Sequence, residues 1–359
     1  MHLWRRHEGC KTWQVRNALI ATMLALLLQC SFSTASATDD PPLVGSYELG
    51  HGLRVPGTGF TLGGYAGIDL DGREDAPATL RASNLSLFLW WENQGKLKFF
   101  SELDAENVLD YEDGHFSSGE RYLALERLYL DYAYSPTLNI RLGKFLTPIG
   151  RWNLIHADPL VWTTSRPLVT ENSFPTNATG AMVTDTLPLF GKNIEFSLYG
   201  SGDTNIRPNP DEDPFTEAAG GHVIIPLYGN AQLGFSYVNF EQRNERGERK
   251  NLFGGDFFWS HNRYEVSSEA IYRYSDRGST WAERGIFIQG VAPLTARWYV
   301  IGRYEAFREA GSDNTLQMHI AGAAFRYRPA LVFKFEYDHA TNENIDAFDG
   351  FLSSVSVLF

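Results

Sequence analysis

The sequence predicts an all-β protein: a transmembrane antiparallel β-barrel of about sixteen strands, with a long loop after strand five folded into the lumen. Three observations predict it. From residue 59 to the last residue, Phe359, stretches of roughly ten residues alternate apolar with polar side chains. The connections between these stretches alternate between short and long. An export leader heads the chain, yet no later apolar run is long enough for a membrane helix.

The leader comes first in the chain. Arg5, Arg6, Lys11 and Arg16 precede the apolar run Ala18–Leu28, and Ala35-Ser36-Ala37 has the small residues of a cleavage site. Residues 1–37 therefore read as a secretory signal peptide. Both cysteines, Cys10 and Cys30, fall inside it, so the mature chain crosses an oxidising compartment with no disulfide to form. Its removal takes away four bases and the single acid Glu8, leaving 27 bases against 42 acids, a net of −15. That balance makes the chain a poor candidate for nonspecific binding to nucleic acid or to anionic lipid. Residues 38–58 read as a periplasmic lead-in, and residues 59–359 as one uninterrupted barrel domain.

Alternation places strands over 59–71, 78–92, 96–110, 121–135, 138–147, 178–188, 192–201, 219–228, 230–242, 251–261, 263–275, 284–294, 296–309, 317–328, 330–341 and 349–359. Every second connection is tight, such as Asn93–Gly95, Ser135–Thr137, Tyr228–Asn230 and His261–Asn262. The others are long and polar, such as Tyr111–Glu120, Gly202–Ala218 and Ala340–Asp349. A soluble sandwich has no reason to sort its loops by parity, whereas an outer-membrane barrel has short periplasmic turns and long external loops.

The two faces of each strand differ as a barrel wall requires. Leu85, Leu87, Leu89 and Trp91 share one face, as do Leu128, Leu130, Tyr132 and Tyr134, and these are expected to meet lipid. Tyr and Trp cluster beside the tight turns, where an interfacial girdle belongs. The opposite face carries Lys98, Glu102, Asp104, Glu106, Arg127, Asp131, Arg141, Glu265, Glu269, Arg303, Glu305, Arg326, Arg328, Lys334, Glu336 and Asp338. So many charges are intolerable in a dry core, so the interior must hold water or a plug. Arg303, Arg326, Arg328 and Lys334, on consecutive strands, are expected to form one basic wall.

The longest connection, 148–177, follows the fifth strand. It holds Ile149, Trp152, Leu154, Ile155, Leu160, Val161, Trp162, Leu168, Val169 and Phe174, too apolar for an external loop. The inner wall is the nearest surface for them, so the loop is expected to fold inward and narrow the pore. Packing against another chain outside is the alternative. Pro148, Pro159, Pro167 and Pro175 would stiffen it.

The stretch Arg141-Leu-Gly-Lys-Phe-Leu-Thr-Pro-Ile-Gly150, the inner loop after strand five and the terminal Phe359 together resemble the bacterial outer-membrane porin superfamily, general and phosphate-selective porins included. That resemblance implies a location in the bacterial outer membrane, a homotrimer, contact with outer-membrane lipid, and recognition of Phe359 by the barrel assembly machinery. It implies a passive diffusion channel for small hydrophilic solutes or ions. Arg151, His156, Asp158, Arg166 and Glu171 on the loop would face Arg127, Arg141, Arg303, Arg326 and Arg328 on the wall. The alternative is a channel specific for sugars, organic acids or phosphate, with Trp152, Trp162 and Phe174 as stacking surfaces. A barrel-embedded hydrolase finds little support, because His222, His261, His319 and His339 are scattered and His156 with Ser165 is a loop pair only. No closely spaced His or Cys group suggests a metal, and no cofactor is expected.

Overall fold

In the computed structural model, which describes residues 46–73, 77–112, 114–117, 122–155, 157–203, 206, 212–276, 282–341 and 349–359, alternation builds a closed wall. The leader 1–37 and the start of the lead-in lie outside the described residues. Sixteen long strands run β1 (Phe60–Arg73), β2 (Thr79–Glu92), β3 (Leu97–Glu112), β4 (Tyr122–Ala133), β5 (Asn139–Leu146), β6 (Asn177–Leu189), β7 (Lys192–Ser201) and β8 (Phe215–Pro226). They continue as β9 (Ala231–Gln242), β10 (Lys250–His261), β11 (Tyr264–Ser275), β12 (Glu283–Pro293), β13 (Trp298–Arg308), β14 (Leu316–Arg328), β15 (Leu331–Ala340) and β16 (Gly350–Leu358). Each pairs antiparallel with its successor, and β16 returns to β1 from Gly350↔Arg73 to Leu358↔Tyr65. Closure leaves no long edge to template aggregation. Each expected strand is present; the largest offset is at β8, which starts four residues before the expected 219.

Loop parity holds throughout. The tight connections include two-residue hairpins at Phe190-Gly191 and Asn262-Arg263, with φ of 52° and 73°, and 47° and 72°. Positive φ at both central residues gives the turn whose twist matches the flanking strands. Outward positions such as Leu85, Leu87, Leu130, Tyr132, Phe253 and Phe335 are exposed, while their neighbours Ser86, Phe88, Glu102 and Asp104 are buried. Among the described residues no helix is long and apolar enough to cross a membrane.

The chain terminus pairs above the foot of β1: the Phe359 backbone exchanges hydrogen bonds with Gly64, at 2.9 and 2.8 Å. The reason is that the lower edge of β1 is already taken. The lead-in folds into a small hairpin, Tyr47–Glu48 against Gly52–Arg54, whose second strand pairs Leu53↔Leu62 and Arg54↔Thr61. The closing strand therefore stops one step higher, with its last ring against Gly64, where a side chain would meet Phe359 at 3.0 Å.

Between β5 and β6 the long loop carries a 3-10 turn, Trp152–Ile155, and one short helix, α1 (Leu168–Asn172). Its apolar side chains Ile149, Trp152, Val161, Val169 and Phe174 are buried in one cluster with the inward residues Phe240, Leu252, Ile271, Phe287 and Phe307. These contacts place the loop inside the wall, against the β8–β13 side.

Candidate functional site: the lumen and its inner loop

The loop enters at a glycine. Gly150 has φ of +62°, and a Cβ there would run into the Glu269 carboxylate of β11. Its absence lets Glu269 Oε1 accept the N–H groups of Arg151 and Trp152 at 2.7 and 2.6 Å, while Gly150 N donates to Ser236 Oγ at 3.1 Å. The neck is tied by Thr147 N to Thr176 O at 2.8 Å, and by Asn153 Nδ2 to the carbonyls of Thr147 and Thr176 at 2.9 and 3.0 Å.

A loop inside a barrel brings backbone groups that no ladder satisfies, and leaving them unpaired is costly. The charged wall supplies the partners. Glu336 accepts from the N–H groups of Thr164 and Ser165 at 3.1 and 2.6 Å, and Glu305 from Leu168 N at 2.7 Å. Arg303 donates to Thr163 Oγ1 and Ser165 Oγ, both at 2.6 Å, and pairs with Glu305 at 2.7 Å. Lys334 Nζ donates to the carbonyls of Asp158 and Thr163, both at 3.0 Å. Arg326 reaches Pro159 O at 3.2 Å and lies 4.2 Å over the Trp162 ring.

The expected basic wall thus exists in part, and its work is anchorage. Arg303, Arg326 and Lys334 converge on residues 158–165. Arg328 does not join them: a bulge between Arg326 and Arg328 breaks the side-chain parity, and Arg328 is exposed at the β14–β15 turn. Trp152 and Phe174 are buried in the loop's apolar cluster, so their rings offer no open stacking face. Trp162 is half-buried, donates to Glu265 at 3.0 Å and leans on Tyr299. Arg151 donates to Gln232 at 2.6 Å and covers the Phe258 ring. His156 lies outside the described residues, and Ser165 is held by Arg303. Residues that the candidate set omitted, Glu269, Glu305 and Glu336, are the loop's principal acceptors; inward parity marked them, but only the loop's path shows their partners.

The loop leans to one side and leaves two spaces. The larger, about 630 Å³, opens toward the long-loop end between the loop and β1–β4 with β13–β16. Nine acids line it (Asp69, Asp71, Asp104, Glu106, Glu126, Asp158, Glu171, Glu212 and Asp338) against five bases (Arg73, Arg81, Arg166, Arg303 and Lys334). Of those bases, Arg303 and Lys334 are committed to the loop and Arg81 to Asp110 at 3.1 Å. Neutral donors reach three of the acids: Asn84 on Asp158 at 2.8 Å, Asn177 on Glu126 at 2.7 Å, and the Tyr122 hydroxyl on Glu106. Asp104 is 3% exposed, and its Oδ1 has no partner among the described residues. In the β7–β8 connection, burial pushes the Glu212 carboxyl above its usual range, opposed by a hydrogen bond with Thr176, reinforced by Glu126 and opposed by Arg166 and Lys144.

The smaller space, about 210 Å³, lies toward the short-turn end and is lined by Arg127, Arg141, Leu146, Pro148, Leu154, Met182 and Ser197. Its two arginines are neutralised locally. Arg127 pairs with Glu102, and Arg141 holds Asp131 at 2.7 and 2.8 Å while stacked 3.6 Å over Tyr129. Elsewhere on the wall His222 Nε2 meets Asp256 Oδ2 at 2.8 Å, with Ser236 on the strand between; all three are buried.

No protein-family model matches the chain. Among solved structures, the barrel is similar to OmpF of Salmonella typhi (TM-score 0.60, 10% identity, 84% of this chain and 98% of that one). The fold is that of the outer-membrane porins. It is similar also to the trimer form of OmpT of Vibrio cholerae (TM-score 0.56, 11% identity, 84% and 99%) and to the outer membrane channel DcaP of Acinetobacter baumannii (0.54, 12%, 88% and 100%). In sequence, 120 residues are 33% identical to an uncharacterized protein of Aquifex aeolicus (strain VF5), a match spanning 33% of this chain and 27% of that relative.

Proposed function

We propose that this chain is a passive diffusion channel of the bacterial outer membrane, and that its acid-lined cavity favours small cationic solutes over anions. One observation carries the reading: nine acids face five bases in the larger cavity. A water-filled space with low-dielectric walls focuses such a field and raises the local concentration of the opposite charge. The long-loop end faces outward, so a solute meets the acids before the tighter passage beside the loop. The arginines of the smaller space add little opposing field, because Glu102 and Asp131 neutralise them at contact distance.

A sugar-stacking channel is the weaker reading, since burial of Trp152 and Phe174 removes two of its three platforms. Assembly as a homotrimer in outer-membrane lipid, with Phe359 read by the assembly machinery, belongs to the same proposal, supported by the trimer form of the Vibrio cholerae relative in fold. Reconstitution of the folded mature barrel into planar bilayers tests it. Stepwise, ohmic conductance is expected in KCl, and a folded barrel that inserts without carrying current overturns the reading.

A further inference from the structure

The smaller space, about 210 Å³, sets two cationic side chains among apolar ones. Across the inner wall beside it runs a row of rings on directly opposed strand positions, Trp90↔Phe100 and Phe100↔Tyr129. Their planes are nearly parallel, with centroids 6.4 and 5.4 Å apart. Arg127 lies 4.6 Å over the Phe100 ring, and Arg141 lies 3.6 Å over the Tyr129 ring. Each guanidinium also gives an edge to a carboxylate: Arg127 Nε donates to Glu102, and Arg141 Nε and Nη2 donate to Asp131. A ring on one face and a carboxylate on one edge fix the two planes. The second face is what each arginine has left to offer the space it lines.

The rest of the lining is mostly apolar. Leu146, Pro148 and Met182 are buried, while Leu154 of the inner loop keeps 42% of its surface uncovered, and Ser197 adds one hydroxyl. A small inorganic anion gains little here, because Glu102 and Asp131 balance the two arginines at contact distance. A plain aliphatic group suits the walls but strips water from two cations and returns nothing to them. A π-face does both: it makes apolar contact, and its quadrupole attracts a guanidinium. Arginine, unlike lysine, presents the flat surface that such stacking uses. The space is smaller than a pocket for a drug-sized molecule, so it suits one ring and not a fused system.

We infer that the smaller space is a stacking subsite for the aromatic ring of a permeating solute, the ring lying on the free faces of Arg127 and Arg141 and against Leu154 and Met182. This rests on the channel reading above and narrows its solute class: among small cations that pass the acidic cavity, those bearing an aromatic ring are retained longest.

The test is single-channel recording of the reconstituted barrel in KCl, with phenethylamine or its saturated analogue cyclohexylethylamine added on the long-loop side. The two amines carry the same charge on the same arm and differ in the π-face. Phenethylamine is expected to interrupt the current in a saturable way, at a half-blocking concentration about fivefold below that of the analogue. Arg141→Lys keeps a cation opposite Asp131 but removes the flat face, and it should bring the two amines level. Ser197→Leu, which fills the space, should do the same. Leu130→Val, on the outward face, serves as the control, and heat-shifted migration on gels verifies that each variant is folded. Equal or tighter block by cyclohexylethylamine would mean that apolar burial alone acts, and it overturns the inference. So do variants that behave as wild type, or block by benzoate at lower concentration than by phenethylamine, which would assign the arginines to anions. A barrel that conducts and is blocked by neither amine overturns this inference and leaves the channel reading standing, whereas a folded barrel without current removes both.

Discussion

At the scale of single residues, Gly150 decides where the inner loop begins. Its left-handed φ and missing Cβ admit the Glu269 carboxylate, which then holds two N–H groups of the loop's first turn. Gly150→Ala is expected to cost about 1–2 kcal/mol from backbone strain alone, and more from the displaced carboxylate; the urea unfolding midpoint measures it. An unchanged midpoint would remove Gly150 from the account. Glu212 offers a pH-dependent counterpart. A carboxyl whose folded pKa lies above its unfolded one favours the fold in acid, and that contribution is lost as pH rises through the folded pKa. Glu212→Gln should therefore match wild type in acid and unfold at higher urea than wild type at alkaline pH, and a variant that is less stable at alkaline pH contradicts the sign. Neither role was legible in the sequence. The segment ending at Gly150 marked a turn into the loop, but Glu269 lies 119 positions further along the chain, and only the fold brings them together.

At the scale of elements, strands and loop differ in how much the sequence discloses. A period of two, repeated over ten or more residues and punctuated by turns, places each strand to within a few positions. Parity then assigns faces until a bulge intervenes. Arg326 and Lys334 fall inside as alternation requires, and Arg328 falls outside because Tyr327 is the extra residue. The lead-in hairpin has too few residues to show a period, so its hold on Thr61 and Leu62, which leaves Phe359 to pair at Gly64, was not legible. The inner loop was legible through its misplaced apolar residues, while its tethers were not, because they join segments far apart in sequence. Glu336 tests the tethering. Glu336→Ala orphans the N–H groups of Thr164 and Ser165, at about 1–3 kcal/mol for each buried donor. Residues 163–168 should then loosen, giving larger and noisier single-channel currents and new chymotrypsin cleavage after Trp162. Glu336→Gln, which keeps an acceptor, should behave closer to wild type, and quiet wild-type currents in the alanine variant would show that the loop is held otherwise.

At the scale of the whole molecule, the account joins a closed sixteen-stranded wall to an asymmetric interior. The loop leans on the β8–β13 side, where the inward face is apolar, and leaves the water path beside β1–β4, where it is acidic. The net charge of the sequence hinted at acidity but not at its location; the inward list from parity mixed both signs, and the loop's tethers decide which charges remain to act on a solute. Arg303 and Lys334 are spent on holding the loop, while Glu171 of α1 stays exposed at the cavity wall. The most direct measurement is the reversal potential of the reconstituted barrel under a tenfold KCl gradient. Its sign should correspond to K⁺ passing more readily than Cl⁻, and Glu171→Gln, at an exposed acid of the cavity wall, should move it toward zero with little change in conductance. A reversal potential of the opposite sign, or one that Glu171→Gln leaves where it was, would contradict the claim that the acidic wall governs what passes.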